Sequence, residues 1–148
     1  MNFPSIESIL PHRGAALLIN AVTEFDEEHI TTRSHPGDDF PYAREGRIPS
    51  VVCIELIAQS VAAFVGMLHR MKNEPPRIGY LIGTPRMKFH CEDFAVGSRV
   101  TVQATCVLRN ENAGTFSATV SIGEQTLAEG SVTVLEPPTA NDSEPADP

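Results

Sequence analysis

Several common devices are missing from this 148-residue chain. Cysteine is scarce: Cys53, Cys91 and Cys106 are odd in number and lack metal-type spacing, which excludes a disulfide framework and a cysteine-held zinc site. They read instead as free thiols of a reducing cytoplasm. Positive charge is also short, with 11 Lys and Arg against 19 Asp and Glu, a formal net charge of −8. That balance speaks against a nucleic-acid partner, which would need a dominant basic face. Neither a Gly-x-Gly-x-x-Gly segment nor a P-loop occurs, so no nucleotide is implied. His29, His69 and His90 share no ligand spacing, so no metal is expected. "MNFPSIESILPHRG" lacks a basic segment followed by an apolar one, so it does not read as a secretory signal. No internal repeat is visible.

What remains is an ordinary globular composition, 41% hydrophobic and 20% charged. We read residues 1–136 as one domain. Residues 137–148, "PPTANDSEPADP", are Pro-rich and acidic without a large apolar side chain, and read as a mobile tail.

The pattern of the domain is legible in order. "FPSIESILPHR" predicts a short N-terminal helix ended by Pro11. "AALLINAVTEFDEEHITTRSH" predicts two strands joined by a turn near Asp26–Glu28. "PGDDFPYAREGRIP" predicts a loop. A long helix follows, from near Ser50 to Asn73, and "EPPR" breaks it. Beyond it, Val-, Thr- and Ile-rich segments with turns at "RNENAG" and "IGEQ" predict about four antiparallel strands.

The helix carries the chemical question. Residues 51–68 are nearly all apolar, yet Glu55 and Gln59 stand inside the run. A carboxylate within a membrane span costs roughly 2–3 kcal/mol, so we read a central helix of a soluble fold. One layer of sheet cannot cover a helix so apolar all round. The sheet must curl around it, or a second copy must cover it. This is the architecture of an α+β hot-dog fold: a long central helix wrapped by a curved antiparallel sheet of about six strands, working as a dimer.

In these apolar surroundings the charged form of Glu55 is expected to be disfavoured, which suits proton transfer. The same residue also fits a buried carboxylate satisfied by a structural hydrogen bond or a cation. Gln59, one turn on, is placed to hold Glu55 or a neighbouring backbone group. From His69 to His90, Arg70, Lys72, Arg77, Arg86 and Lys88 face only Glu74, a local +4 in an acidic chain. That stretch fits a docking rim for an acidic partner, and equally a helix end with ordinary strand-edge cations.

Three stretches, in order, resemble the FabZ-type 3-hydroxyacyl-acyl-carrier-protein dehydratases: "ILPHRGAALLINAV", "IPSVVCIELIAQS" and "RMKFHCEDFAVGSRVTV". The likeness spans about residues 6–136 and is strongest to the ApeP-like branch associated with aryl-polyene biosynthesis. It implies removal of water from a 3-hydroxyacyl thioester, with no cofactor beyond the phosphopantetheine of an acyl carrier protein that carries the substrate. It implies Glu55 as a catalytic residue, and donors for the thioester oxygen at the helix start, near Ser50 and Val51. His12 and Arg13, in the opening motif, are expected to fix the N-terminal segment by hydrogen bonds. Arg70, Lys72, Arg86 and Lys88 become candidates for carrier-protein docking.

One departure stands out. The family places a catalytic His before Phe-Pro ahead of the helix, and here Asp39 precedes Phe40-Pro41. His35 is the nearest histidine. Either His35 or Asp39 completes the site, or the chain is an incomplete subunit that pairs with an active hot-dog dehydratase. An acyl thioesterase, whose carboxylate activates water, is a third reading.

Overall fold

The computed structural model describes residues 2–74 and 79–136. It has one long helix, a six-stranded antiparallel sheet and a separate two-stranded ribbon. The expected N-terminal helix is reduced to a 3-10 turn, Ile6–Ser8, followed by a second turn, Gly14–Ala16. Pro4 and Pro11 bracket the first turn too closely for an α-helix to nucleate.

Strands β1 (Ala21–Phe25) and β2 (His29–Ser34) form the predicted hairpin. Asp26 closes its turn: its Oδ1 accepts the Glu28 N–H at 2.8 Å, and its own N–H donates to the His29 carbonyl at 2.9 Å. The loop ahead of the helix is shorter than expected, because Arg47–Pro49 forms β3. Glu45 (φ 52°) and Gly46 (φ 77°) make the tight turn that leads into it. Helix α1 spans Val52–Met71. After it come β4 (Tyr80–Phe89), β5 (Asp93–Ala95), β6 (Val100–Arg109), β7 (Ala113–Ile122) and β8 (Gln125–Leu135). The four long strands were foreseen; β5, which pairs only with β3, was not.

The large sheet runs β1-β2-β6-β7-β8-β4. Its inner face follows from the two-residue period of a strand. Val100, Val102 and Ala104 of β6, and Phe116, Ala118 and Val120 of β7, turn inward and are buried. Helix α1 packs against β2, β6, β7 and β8. Phe64 lies at the centre, 5.5 Å from Phe116 in an edge-on contact and 5.7 Å from Phe25. The helix is long and apolar enough to cross a membrane by length and composition, but 67% of that window is buried inside this chain. It is the core helix that the sequence predicts.

A second layer comes from the N-terminal segment. Gly66 lets it approach, since a Cβ there would fall 2.1 Å from the Ile9 carbonyl oxygen. The helix ends at Met71, two residues before the expected Asn73, which adopts a left-handed conformation (φ 59°) in the turn that follows. The Glu74 N–H then turns back to the His69 carbonyl at 2.9 Å. The expected tail, 137–148, and Arg77 lie outside the described residues.

Candidate active site

Sheet and N-terminal segment leave one strip of α1 uncovered. Val51 and Glu55, one turn apart, are exposed there, while Ile54, Ala58, Ala62, Val65 and Leu68 are half-buried. Glu55 is therefore not enclosed by its own chain, and stands on the face of the helix that the sequence reading leaves for a second copy to cover. The apolar run surrounds it in sequence, but the helix turns its polar residue toward the open strip.

Gln59 is the reverse case: a polar side chain that is 1% exposed. Its amide is fully used. Oε1 accepts the Leu18 N–H at 2.8 Å; Nε2 donates to the Ala16 carbonyl at 2.7 Å and to Glu55 Oε1 at 3.0 Å. Gln59 thus welds the helix to the Ala16–Leu18 segment and holds one oxygen of the carboxylate. Oε2 of Glu55 has no hydrogen bond among the described residues, so it is free for a ligand.

The helix start supplies donors, one residue later than expected. The Ser50 N–H is already bonded to the Glu92 carbonyl at 2.9 Å. The N–H groups of Cys53 and Ile54 turn back on the Ser50 and Val51 carbonyls. Those of Val51 and Val52 have no partner among the described residues. They sit at the positive end of the helix, on the turn before Glu55. Ser50 is buried, and its hydroxyl lies 3.1 Å from Cys91 Sγ. Burial pushes the Cys53 thiol up to about 12, with the neighbouring Cys91 adding to the rise.

His35 and Asp39 meet at one cavity of about 330 Å3, which Gly14, Leu17, Leu18 and Asn20 also line. The structure therefore brings together the two candidates for the second catalytic group. The 14–18 segment that walls this cavity is the one Gln59 grips. Both side chains are exposed within this chain.

The basic stretch does not form one rim. Arg70 and Lys72 stand at the C-terminal end of α1, whereas β4 returns toward its beginning. Lys88 is three residues from Cys91, which touches Ser50. A helix of 20 residues is about 30 Å long, so Lys88 stands toward the opposite end of α1 from Arg70 and Lys72. Arg86 lies on the outer face of the large sheet, where it shares an open groove with Gln103, Thr105, Ser117 and Thr119, and Lys88 pairs with Glu129 of the same groove.

Two further features escape sequence reasoning. His69 is buried, with Nδ1 3.2 Å from Glu74 Oε2 and Nε2 bonded to Glu136 Oε1. Arg109 joins at Glu136 Oε2, 3.3 Å away. This cluster pins the end of α1 to the end of β8. In the N-terminal segment, Arg13 donates to the Glu7, Leu10 and His12 carbonyls as expected. His12 does not share that role: its Nδ1 is buried without a partner among the described residues.

Residues 4–144 match the family model described as ApeP-like, ApeP dehydratase. The chain is 24% identical over 139 residues to the 3-hydroxyacyl-[acyl-carrier-protein] dehydratase FabZ of Streptococcus pyogenes serotype M3, covering 90% of this chain and 96% of that protein. It is 26% identical over 140 residues to FabZ of Clostridium botulinum, covering 89% and 96%. Among solved structures it superposes on a chain of the dehydratase heterocomplex ApeI:P from Xenorhabdus doucetiae with a TM-score of 0.88, at 22% identity and covering 93% and 94% of the two chains. A hypothetical thioesterase with coenzyme A from Streptococcus pneumoniae shares the fold at a TM-score of 0.61 and 10% identity, over 79% and 84% of the two chains.

Proposed function

Because the chain belongs to the ApeP-like dehydratase family, we propose that it removes water from a 3-hydroxyacyl thioester carried on an acyl carrier protein, in fatty-acid or aryl-polyene biosynthesis. The observation that carries this reading is the Gln59–Glu55 contact. A fully buried amide orients a carboxylate at the open strip and leaves one oxygen free.

The residues divide the work. The thioester oxygen takes the free N–H groups of Val51 and Val52, where the helix end stabilises the enolate-like charge. Oε2 of Glu55 carries the proton that leaves with the 3-hydroxyl. His35 or Asp39, at their shared cavity, takes the α-proton. Arg86 and Lys88, on β4, guide the acidic carrier protein, in place of a rim that includes Arg70 and Lys72. The active unit is a dimer in which a second hot-dog subunit covers the open strip and desolvates Glu55. The three free thiols support a cytoplasmic location.

A second reading has its own support. Asp39 stands where the resemblance expects histidine, and a structural relative is a heterocomplex. In this reading the chain supplies Glu55 and one wall of a site completed by a different hot-dog dehydratase.

One experiment separates these readings. The purified chain is given a 3-hydroxyacyl carrier protein, alone and with a second hot-dog dehydratase, and enoyl product and free acid are measured. Enoyl product from the chain alone supports the self-sufficient dehydratase. Enoyl product only in the mixture, lost on Glu55→Gln, supports the paired subunit. Free acid as the main product makes it a thioesterase.

A further inference from the structure

His35 is exposed, yet it is tied down at two points. Its backbone N–H donates to Asn20 Oδ1 at 2.7 Å, and its Nε2 lies 3.1 Å from the Gly97 carbonyl oxygen. A carbonyl oxygen only accepts, so Nε2 carries the hydrogen. In the neutral ring the free lone pair then belongs to Nδ1. A further bond fastens the same two segments, from the Gly97 N–H to the Pro36 carbonyl at 2.7 Å. Gly97 adopts φ +83° with nothing within 4 Å of an added Cβ, so glycine is required there for its backbone, not for space. Asp39, at the same cavity, has no comparable hold: its carboxylate makes no hydrogen bond among the described residues.

We infer that Asn20 and Gly97 are positioning residues that lock His35 as the Nε2–H tautomer and assign proton acceptance to its Nδ1. The inference rests on the dehydratase reading for the proton's origin. Nδ1 takes the proton from C2 of the 3-hydroxyacyl thioester. The C–H electron pair becomes the C2–C3 double bond, and the C3–O bond breaks. The hydroxyl departs as water with a proton from a carboxyl group, the role given to Glu55. The imidazolium keeps its Nε2–H on Gly97 and releases its other proton to solvent, from which the carboxylate is reprotonated.

The ring state is observable without substrate. Two-bond proton–nitrogen correlation spectra of the 15N-labelled full chain, with the His35 signals assigned by His35→Gln, report the tautomer of the neutral ring. The inference expects one Nε2–H tautomer, insensitive to temperature. Gly97→Ala and Asn20→Ala should return the ring to a temperature-dependent average of both tautomers. Asn20→Asp, which retains an acceptor, should keep the lock. Circular dichroism identifies variants that fail to fold, and Asn20→Ala carries the test should Gly97→Ala do so. An averaged ring in the unaltered chain overturns the inference, as does a lock that survives in a folded Asn20→Ala chain. A locked ring in a chain that forms no enoyl product, alone or paired, counts against the dehydratase reading and leaves the tautomer assignment standing.

Discussion

Gln59 Nε2 lies 3.0 Å from Glu55 Oε1, one helical turn away, and the two residues have opposite exposure. The amide is sealed in the core; the carboxylate faces out. The pair converts rigidity of the interior into orientation of a surface group. Gln59→Leu should therefore do two kinds of damage. It leaves the Leu18 N–H and the Ala16 carbonyl unpaired, at a cost of about 1–3 kcal/mol each. It also frees Glu55 to rotate. Denaturant titration should show the lost stability, and turnover per folded molecule should fall as well. Loss of stability with unchanged turnover would make Gln59 a fold residue only.

Gly66→Ala tests the docking of the N-terminal segment. The added Cβ would collide with the Ile9 backbone, which no side-chain rotation relieves. Overpacking of this kind costs about 1–3 kcal/mol. A thermal melt should show a lower midpoint, and limited proteolysis should cut earlier within residues 2–18. A melt equal to that of the unaltered chain would mean that this segment is not held by the helix.

Helix and long strands are legible in the sequence because each repeats its pattern over ten or more residues, as in Val100–Arg109 or Val52–Met71. Strands β3 and β5 are not, since each is three residues long and buries one large side chain, Ile48 against Phe94. Glu55 is picked out by its type and its apolar neighbours, but its exposure depends on which side of α1 lacks sheet. The continuous basic run becomes two separate pairs because β4 doubles back along the molecule. The His69–Glu136 bond joins residues 67 apart, which no local pattern encodes.

Thiol chemistry should follow burial. At pH 8, Ellman's reagent should react with Cys91 and Cys106 in the folded chain and spare Cys53, which is 0% exposed. The Cys53 thiol is raised from 9.0 to about 12, so the folded state holds its proton more tightly than the unfolded state. Its contribution is complete below pH 9 and declines as pH rises from 9 toward 12, by at most about 1.4 kcal/mol per pH unit. Denaturant midpoints from pH 8 to 11 for the unaltered chain and Cys53→Ala should show a steeper decline in the former. Parallel curves would contradict the assignment.

The two basic pairs should differ in function. Arg86→Glu with Lys88→Glu should raise KM for a carrier-protein substrate about tenfold at low salt and leave a small pantetheine thioester nearly unaffected. Arg70→Glu with Lys72→Glu, at the far end of α1, should change neither. Equal effects of both double variants would mean that the carrier protein responds to overall charge rather than to one surface.

Glu55→Gln puts the central claim to its most direct test. The isostere keeps the hydrogen-bonding shape but cannot exchange a proton, and its exposed position should leave the melting temperature nearly unchanged. Enoyl formation from a 3-hydroxyacyl carrier protein, by the chain alone or with a second hot-dog dehydratase, should fall by about 10²-fold or more. A folded Glu55→Gln chain that turns over at the original rate would contradict the account and leave Glu55 a structural residue.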